Sequence, residues 1–294
     1  MNEDFDTAWR ANRRRLLDLA YRMTGTMTDA EDVVQEAYAR LLRADVDAID
    51  DLRGWLVTVT SRLCLDQLRS ARVTRAAYVG PWLPEPVVDL PDVASDPADR
   101  VTLDDSVRMA LMVVLEELSP AERVAFVLHD VFAYPYAEIS KITGRSVSAC
   151  RQLASRARRR IATHDGIVAP DDPAVQRSVV HRFARACRTG DLDGLVAVLA
   201  SDAVGEFDSG GTIPGAPTEP VMGAELIART LLQVFEGRGA TFSQVLVNAA
   251  PGVAISAGEQ IVAVLAFDVA GDRVQHIHAI GNRDKLSRLG DPRR

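Results

Sequence analysis

Between Tyr136 and Arg160 the chain carries side chains suited to reading nucleic acid. Helical spacing puts Val147, Cys150, Leu153 or Ala154, Ala157 and Ile161 on one apolar stripe of a helix from about Ser146 to Ile161. Ser148, Arg151, Gln152, Ser155, Arg156 and Arg159 are then left facing outward. Arginine bonds guanine bidentately, glutamine matches the edge of adenine, and hydroxyls and further arginines hold phosphates. A preceding helix, 136–143, has Ala137, Ile139 and Ile142 on its apolar side, and Gly144 stands where the turn needs a left-handed backbone. The pattern is a helix-turn-helix, with Tyr136, Glu138, Gly144, Arg145 and Ser146 completing its DNA-facing set. The plain alternative is a basic helical hairpin with no DNA partner.

Two other groupings carry chemistry. His276 and His278 lie two apart on an expected strand, so both point to one face, and Asp208 ends an earlier strand. A histidine and an aspartate together make an acid–base pair or part of a metal site. No third ligand stands at a convincing spacing, so no metal, cofactor or catalytic residue is expected and the histidines read as structural. Asp32, Gln35 and Glu36 form a polar, acidic edge within little more than one helical turn, beside an apolar stripe. Such an edge suits docking on a basic surface; a solvated helix face is the alternative.

The elements that carry these residues follow from periodicity and punctuation. Residues 13–71 are helical. Gly25 and Thr28-Asp29 interrupt and offer a cap; Val33, Val34, Ala37, Tyr38, Leu41 and Leu42 form the next stripe; 43–51 is an acidic loop. Residues 76–97 hold Pro81, Pro84, Pro86, Pro91 and Pro97 and make an acidic linker. Its middle, Tyr78 to Pro86, is apolar enough to dock onto a surface. Helices are expected over 101–118 and from Pro120 to about Val131, the latter started by Ser119-Pro120-Ala121-Glu122. After residue 166 come helices at 173–189, 192–199 and 223–235, and strands at 203–207, 241–248, 253–256, 260–267 and 273–280. This is α+β grammar with an antiparallel sheet.

Composition sets limits. The 294 residues are 47% hydrophobic and suffice for more than one core. No apolar run is long enough to span a membrane and the first residues are acidic, so neither membrane anchor nor secretory leader is expected. Three scattered cysteines, Cys64, Cys150 and Cys187, read as buried thiols in a reducing cytoplasm. The net charge of −7 argues against nucleic acid until it is divided along the chain. Residues 105–164 alone are positive, with nine basic against six acidic side chains, because Arg145, Arg151, Arg156, Arg158, Arg159 and Arg160 cluster there. Screening makes such a local cluster count for more than the total.

Asp29 to Leu42 resembles the polymerase-core-binding helix of region 2 in bacterial sigma factors. Trp55 to Arg69 resembles the helix after it, which in that family recognises and helps melt the −10 element. Leu118 to Arg123 and the helix-turn-helix resemble region 4, which binds the −35 element. With only a linker between them, this is the layout of the extracytoplasmic-function sigma factors. Residues 165–294 resemble the SnoaL-like extension, a cone-shaped α+β fold of the NTF2 superfamily that a subgroup carries. Tyr78–Pro86 and Asn282-Arg283-Asp284-Lys285-Leu286 look like that subgroup's signatures. Arg283 stands where the subgroup has proline, and Ser209 where it tends to have glycine.

The resemblance implies two all-α sigma domains (1–75 and 105–164), a linker (76–104) and an α+β cone (165–294). It implies core-polymerase contact, with the β and β′ subunits, through Asp29, Glu31, Asp32, Val33, Gln35, Glu36, Tyr38, Leu41 and Leu42. It implies −10 contact through Trp55, Arg62, Gln67 and Arg69, and capture of a flipped base by the loop 43–53. Trp82, Asp208, His276, His278, Asn282, Asp284 and Lys285 are candidate pocket or interdomain residues of the cone, which is expected to modulate activity in cis. Neither an anti-sigma partner nor a small-molecule ligand can be read from the sequence. Two rivals stay open: a stand-alone helix-turn-helix activator, and a SnoaL-like enzyme fused to a vestigial sigma module.

Overall fold

The computed structural model describes residues 3–75, 77–89, 107–164, 172–235 and 239–289, with side chains described from Trp9. The start of the expected helix at 101–118, the linker beyond Asp89 and the side chain of Asp47 in the acidic loop lie outside the described residues. The chain divides into two compact units. The first gathers the described residues up to 75 and 114–163; the second gathers 77–89, 107–113 and 164 onward.

The first unit is helical. α1 (Glu3–Thr24), α2 (Met27–Arg43) and α3 (Leu52–Arg75) pack as a bundle. Its core takes Leu16, Leu19, Ala20 and Met23 from α1, Val33, Val34, Ala37 and Leu41 from α2, and Leu56, Val57, Cys64 and Leu65 from α3. In α1 and α2 these are the positions that three- and four-residue spacing selects; in α3 the expected stripe of Trp55, Val59, Leu63 and Leu68 is buried only at Leu68, and the buried side is shifted onto the neighbouring positions. The cap of α2 is Thr26 rather than Thr28-Asp29: its hydroxyl accepts from Asp29 N at 3.1 Å. Asp29 thereby falls in the first turn, where its charge favours the helix dipole.

α4 (Met109–Glu117) leads to α5 (Pro120–Phe126). The expected capping box is present, with Glu122 N donating to Ser119 Oγ and Ser119 N donating to Glu122. The helix does not run on unbroken to Val131. Val127–Val131 forms a π-turn closed by Phe132 N on Val127 O at 3.1 Å, followed by Ala133 at φ 59°. α6 (Tyr136–Thr143) and α7 (Val147–Thr163) are the helix-turn-helix, and Gly144 takes the left-handed conformation at φ 67°.

The second unit is α+β. α8 (Pro173–Thr189), α9 (Leu192–Val198) and α10 (Ala224–Phe235) cover one face of a seven-stranded sheet. The strands are β1 (Val88–Asp89), β2 (Leu199–Asp208), β3 (Val221–Met222), β4 (Ala240–Val247), β5 (Ala250–Ala257), β6 (Gln260–Ala270) and β7 (Arg273–Ile280), ordered β1-β4-β5-β6-β7-β2-β3. Phe183, Leu195, Ile227, Leu265, Phe267 and Ile277 fill the helical side, Phe183 meeting Phe267 edge-on at 4.8 Å. Alternation sends Val264, Ala266 and Ile280 to the other face, where Leu83, Met109 and Leu286 (from α11, Arg283–Leu286) cover them.

Two features depart from the expected architecture. The sheet is not wholly antiparallel: β2 enters it from α9 and lies parallel to β7, Gly205 opposite Ile277. A parallel neighbour needs a crossover, which the intervening strands and α10 supply. The proline-rich linker is also part of the sheet, since its Val88 and Asp89 form β1 against Val247 and Leu246. An edge strand tolerates the prolines before it because only one side must pair.

Ser119→Ala removes the α5 cap and should lower the stability of the helical unit by about 1 kcal/mol, read as an earlier urea midpoint in circular dichroism.

Candidate nucleic-acid interface

In α7, Cys150, Leu153, Ala154 and Ala157 are buried and Val147 and Ile161 half-buried. Ser148, Arg151, Gln152, Arg156 and Arg159 are exposed and Ser155 half-buried. The outward face is therefore the expected one, but its members are not equivalent. Arg156 Nε is bonded to Glu122 at 2.8 Å, and Arg158 reaches Asp130 at 2.8 Å. Burial opposes the charge of Glu122, yet the Ser119 and Arg156 hydrogen bonds hold its carboxyl below the usual range. Ser146 caps the helix, accepting from Ala149 N at 3.2 Å. Arg145 is exposed, and its carbonyl accepts from Ser140 at 2.6 Å. Tyr136 is stacked on His129 at 3.9 Å, with the Arg151 guanidinium 5.8 Å from its ring; Glu138 pairs with Lys141 at 2.9 Å. Arg151, Gln152 and Arg159 carry no ion pair or side-chain hydrogen bond among the described residues, whereas the Ser148 hydroxyl meets that of Ser146 at 3.0 Å.

On α2, Asp32, Gln35 and Leu42 are exposed, and Asp29, Glu31, Glu36 and Tyr38 half-buried. Val33 and Leu41, expected at a partner surface, are 4% and 0% exposed and belong to the bundle core. A cleft of about 320 Å³ opens beside this edge, lined by Trp9, Arg13, Leu17, Glu31, Gln35 and Tyr38. On α3, Trp55 and Gln67 are half-buried, while Arg62 and Arg69 are exposed. Arg69 pairs with Asp66 at 3.3 Å. Arg62 donates to the carbonyl of Lys141, in α6, at 2.8 Å.

That contact is one of several joining α1–α3 to α4–α7 inside the helical unit. Arg123, 1% exposed, pairs with Glu116 at 2.5 Å and donates through Nε to Arg22 O at 3.1 Å. Arg15 lies 5.3 Å from the ring of Phe132 and 5.8 Å from that of Tyr134, which the π-turn and Ala133 present. A junction lined by buried guanidiniums is poorer in free energy than an apolar one of the same area.

In the second unit four of the candidate residues meet in one clasp. Asp208, 1% exposed, bonds Lys285 at 2.5 Å and accepts from Leu83 N at 2.9 Å and from the Tyr78 hydroxyl. Lys285 also donates to Leu83 O and lies 3.9 Å from the ring of Trp82. Asn282 donates to Tyr78 at 2.6 Å and caps α11 through Asp284 N at 2.9 Å. Burial, and then the bond to Asp208, push the Tyr78 hydroxyl well above its usual range. Gly210 must be glycine: φ is 57°, and a Cβ there would stand 2.8 Å from Asn282 Nδ2. Arg283 is exposed at the first helical position, so the change from proline leaves the clasp intact. Ser209 is buried and accepts from Gly211 N at 3.2 Å. The side chain of Asp284 is exposed and outside the clasp.

His276 and His278 lie apart from Asp208. His278 sits between Asp268 Oδ2 at 2.9 Å and Glu206 Oε2 at 3.1 Å, and His276 Nδ1, buried, meets no acceptor among the described residues. Burial disfavours the His278 imidazolium, but the bonds to Asp268 and Glu206 overcome it and raise its pKa to about 9. His276 is lowered, chiefly by burial. The carboxylates were not legible beforehand because β2 and β6 reach β7 only through the sheet register. Tyr78 and Leu83 fall within the Tyr78–Pro86 segment of the linker. Asn248, which joins Val87 to Val107 by bonds of 2.9 and 2.7 Å, gave no sequence signal.

Residues 8–74 match the family described as sigma-70 region 2, and residues 108–161 the family described as sigma-70, region 4. The chain is 43% identical over 290 residues to the probable ECF RNA polymerase sigma factor SigI of Mycobacterium tuberculosis, covering 98% of this chain and 97% of that one. The chain belongs to the extracytoplasmic-function sigma factors of RNA polymerase. This sigma factor is also 46% identical over 229 residues to the ECF RNA polymerase sigma factor SigJ of M. tuberculosis, over 78% of its own length and 72% of SigJ. The crystal structure of M. tuberculosis SigJ matches it with a TM-score of 0.77 at 39% identity, over 98% and 99% of the two chains. The fold is therefore two helical sigma domains followed by a sheet-containing domain. Among the described residues, no helix is long and apolar enough to cross a membrane.

The sign of the His278 effect follows from its raised pKa. Its contribution to stability is complete below about pH 6.5 and is lost as pH rises through about 9. Thermal melts should show the C-terminal domain weakening across pH 7–10, and His278→Gln should be less stable at pH 6 with a flatter profile.

Proposed function

We propose that the sigma factor docks on core polymerase, at its β and β′ subunits, through the α2 edge. Asp29, Glu31, Asp32, Gln35, Glu36, Tyr38 and Leu42 would carry that contact, with Val33 and Leu41 serving only to hold the helix. Promoter DNA is then read in two places. Arg151 and Gln152, with Ser148 and Arg159 on the backbone, take the −35 element; Trp55, Arg62, Gln67 and Arg69, with the loop 43–53, take the −10 element. The observation that carries this reading is α7 itself: a capped helix whose apolar stripe is packed while Arg151, Gln152 and Arg159 stand in solvent. A bidentate arginine or glutamine is worth about 1–3 kcal/mol of discrimination per base pair.

The C-terminal domain acts in cis. Its grip on the linker supports reading it as a regulator of how the two sigma domains are presented, and two of its candidate acid–base residues are engaged in holding the fold. Asp208 is committed to Lys285, Tyr78 and Leu83, and His278 to Asp268 and Glu206. The cavity at the Phe207–Phe235 end of the sheet holds about 20 Å³, room for about one water.

Run-off transcription with core polymerase tests both parts. Gln152→Ala with Arg151→Ala should abolish −35 discrimination, a loss of about tenfold to a hundredfold in promoter preference, with core affinity unchanged. Lys285→Met leaves Asp208 buried without its cation and frees the linker; it should change transcript yield at equal core affinity and equal duplex affinity. An unaltered yield from a folded Lys285→Met protein removes the regulatory part and leaves the promoter part standing.

A further inference from the structure

The C-terminal domain has an acidic balance, 12 basic against 16 acidic residues over 165–294, yet one of its helices does not share it. On α8, Arg177, His181, Arg185 and Arg188 are all exposed. At about 100° per residue these four positions fall within an arc of about 80°, and at 1.5 Å per residue they extend over about 16 Å. The opposite side of the helix, with Val179, Val180, Phe183 and Cys187, is packed on the sheet. Arg182, off the stripe, is bound to Asp272 O at 2.6 Å. Arg177, Arg185 and Arg188 have no ion pair or side-chain hydrogen bond among the described residues, although exposed arginines elsewhere, Arg229 with Glu225 and Arg40 with Glu36, do. Arg177 lies toward the helix start, where a cation gains nothing from the helix dipole.

We propose that the arginine stripe of α8 is a third DNA-contact surface, binding the phosphate backbone of the promoter duplex. The proposal rests on the promoter-binding reading above. About 16 Å of unpaired guanidinium matches about five base pairs of duplex at 3.4 Å per step, a length that carries phosphates throughout. The exposed residues along the same side of the helix, Ala174, Ser178 and His181, offer no large apolar anchor. Protein partners are held by such anchors, whereas phosphates are held by arginine and small polar groups without them. His181, Arg185 and Arg188 therefore fit a polyanion, and the apolar cleft that Arg177 borders, with Val180, Val245, Leu246 and Pro251, is where a protein partner would anchor instead. Its contacts carry no base information; their consequence is affinity for DNA of any sequence beside the promoter elements, and a steep dependence on salt.

The test uses the full chain with core polymerase and a mixed-sequence 60-base-pair duplex labelled for fluorescence anisotropy. Binding is measured from 50 to 300 mM KCl for the wild type, for R177Q/R185Q/R188Q, for the charge-conserving R177K/R185K/R188K, and for R151A/R159A. Each lost phosphate contact lowers the log–log salt slope by about 0.9, so the glutamine triple variant should lose about 2–3 in slope and at least about tenfold in affinity at 100 mM. The lysine variant should keep most of both, and R151A/R159A should lose its own share additively. A glutamine variant with wild-type slope and affinity, while R151A/R159A is weakened, overturns the proposal and leaves the promoter reading intact. A variant that instead loses core affinity with duplex binding unchanged makes the partner an acidic protein surface, and also overturns it. A wild-type holoenzyme that binds this mixed-sequence duplex no better than core alone shows no added backbone contact and overturns the proposal, while promoter discrimination in run-off transcription tests the promoter reading separately. Circular dichroism melts confirm that α8 is folded in each variant.

Discussion

A single buried carboxylate organises the C-terminal half of this sigma factor. Asp208 is removed from water at the end of β2, and a bare charge there would be prohibitive. It is tolerated because Lys285, Tyr78 and the Leu83 amide all point at it, and two of those three come from the linker. Removing one partner of such a pair typically costs about 3–5 kcal/mol, while an apolar replacement of the whole group is often neutral. The charge is therefore a poor choice for stability alone and a good one for specifying which segment sits there. Everything else on that face of the sheet, from the β1–β4 pairing to the packing of Leu83 against Val264 and Ile280, relies on the linker being in that position.

The helical half uses charge in the opposite way. Its individual domains have ordinary apolar cores, but the groups that join α1–α3 to α4–α7 are Arg15, Arg22, Glu116 and Arg123, with a strained turn supplying Phe132 and Tyr134. Arg123 Nη2 and Arg15 Nε are buried and meet no acceptor among the described residues. The charged groups at this joint contribute less than apolar groups of the same area would. The joint also engages Arg62, a side chain proposed above for the −10 element, through the Lys141 carbonyl.

Much of this was legible in the sequence where local rules decide. The α7 stripe, the Gly144 turn and the Ser119 capping box depend on residues within one or two helical turns, and spacing alone places them. The Thr26 cap shows the limit of the same logic: Thr26 and Thr28 are equally good capping types, and only the direction in which the chain leaves Gly25 chooses between them. Val33 and Leu41 lie in a segment whose resemblance implies a partner surface, while periodicity puts them on the buried side, where the structure has them. What stayed hidden was non-local. The parallel β2–β7 pairing brings Glu206 beside His278 across 72 residues, and no pattern in either strand announces its neighbour. The apolar middle of the linker points to docking on some surface, but which surface depends on Leu83 and on the pairing of Val88, which need the sheet in place before they have meaning.

The intertwining of the linker with the sheet bears on how such a protein is inherited. β1 and Leu83 lie ahead of the second sigma domain in the chain, yet they finish the core and the edge of a domain that begins after it. The extension is therefore not a cassette that recombination can append at one point or remove at one point. A lineage that lost it would have to rewrite residues 78–89 and 107–113 as well, and a graft onto another sigma factor would need three segments, not one.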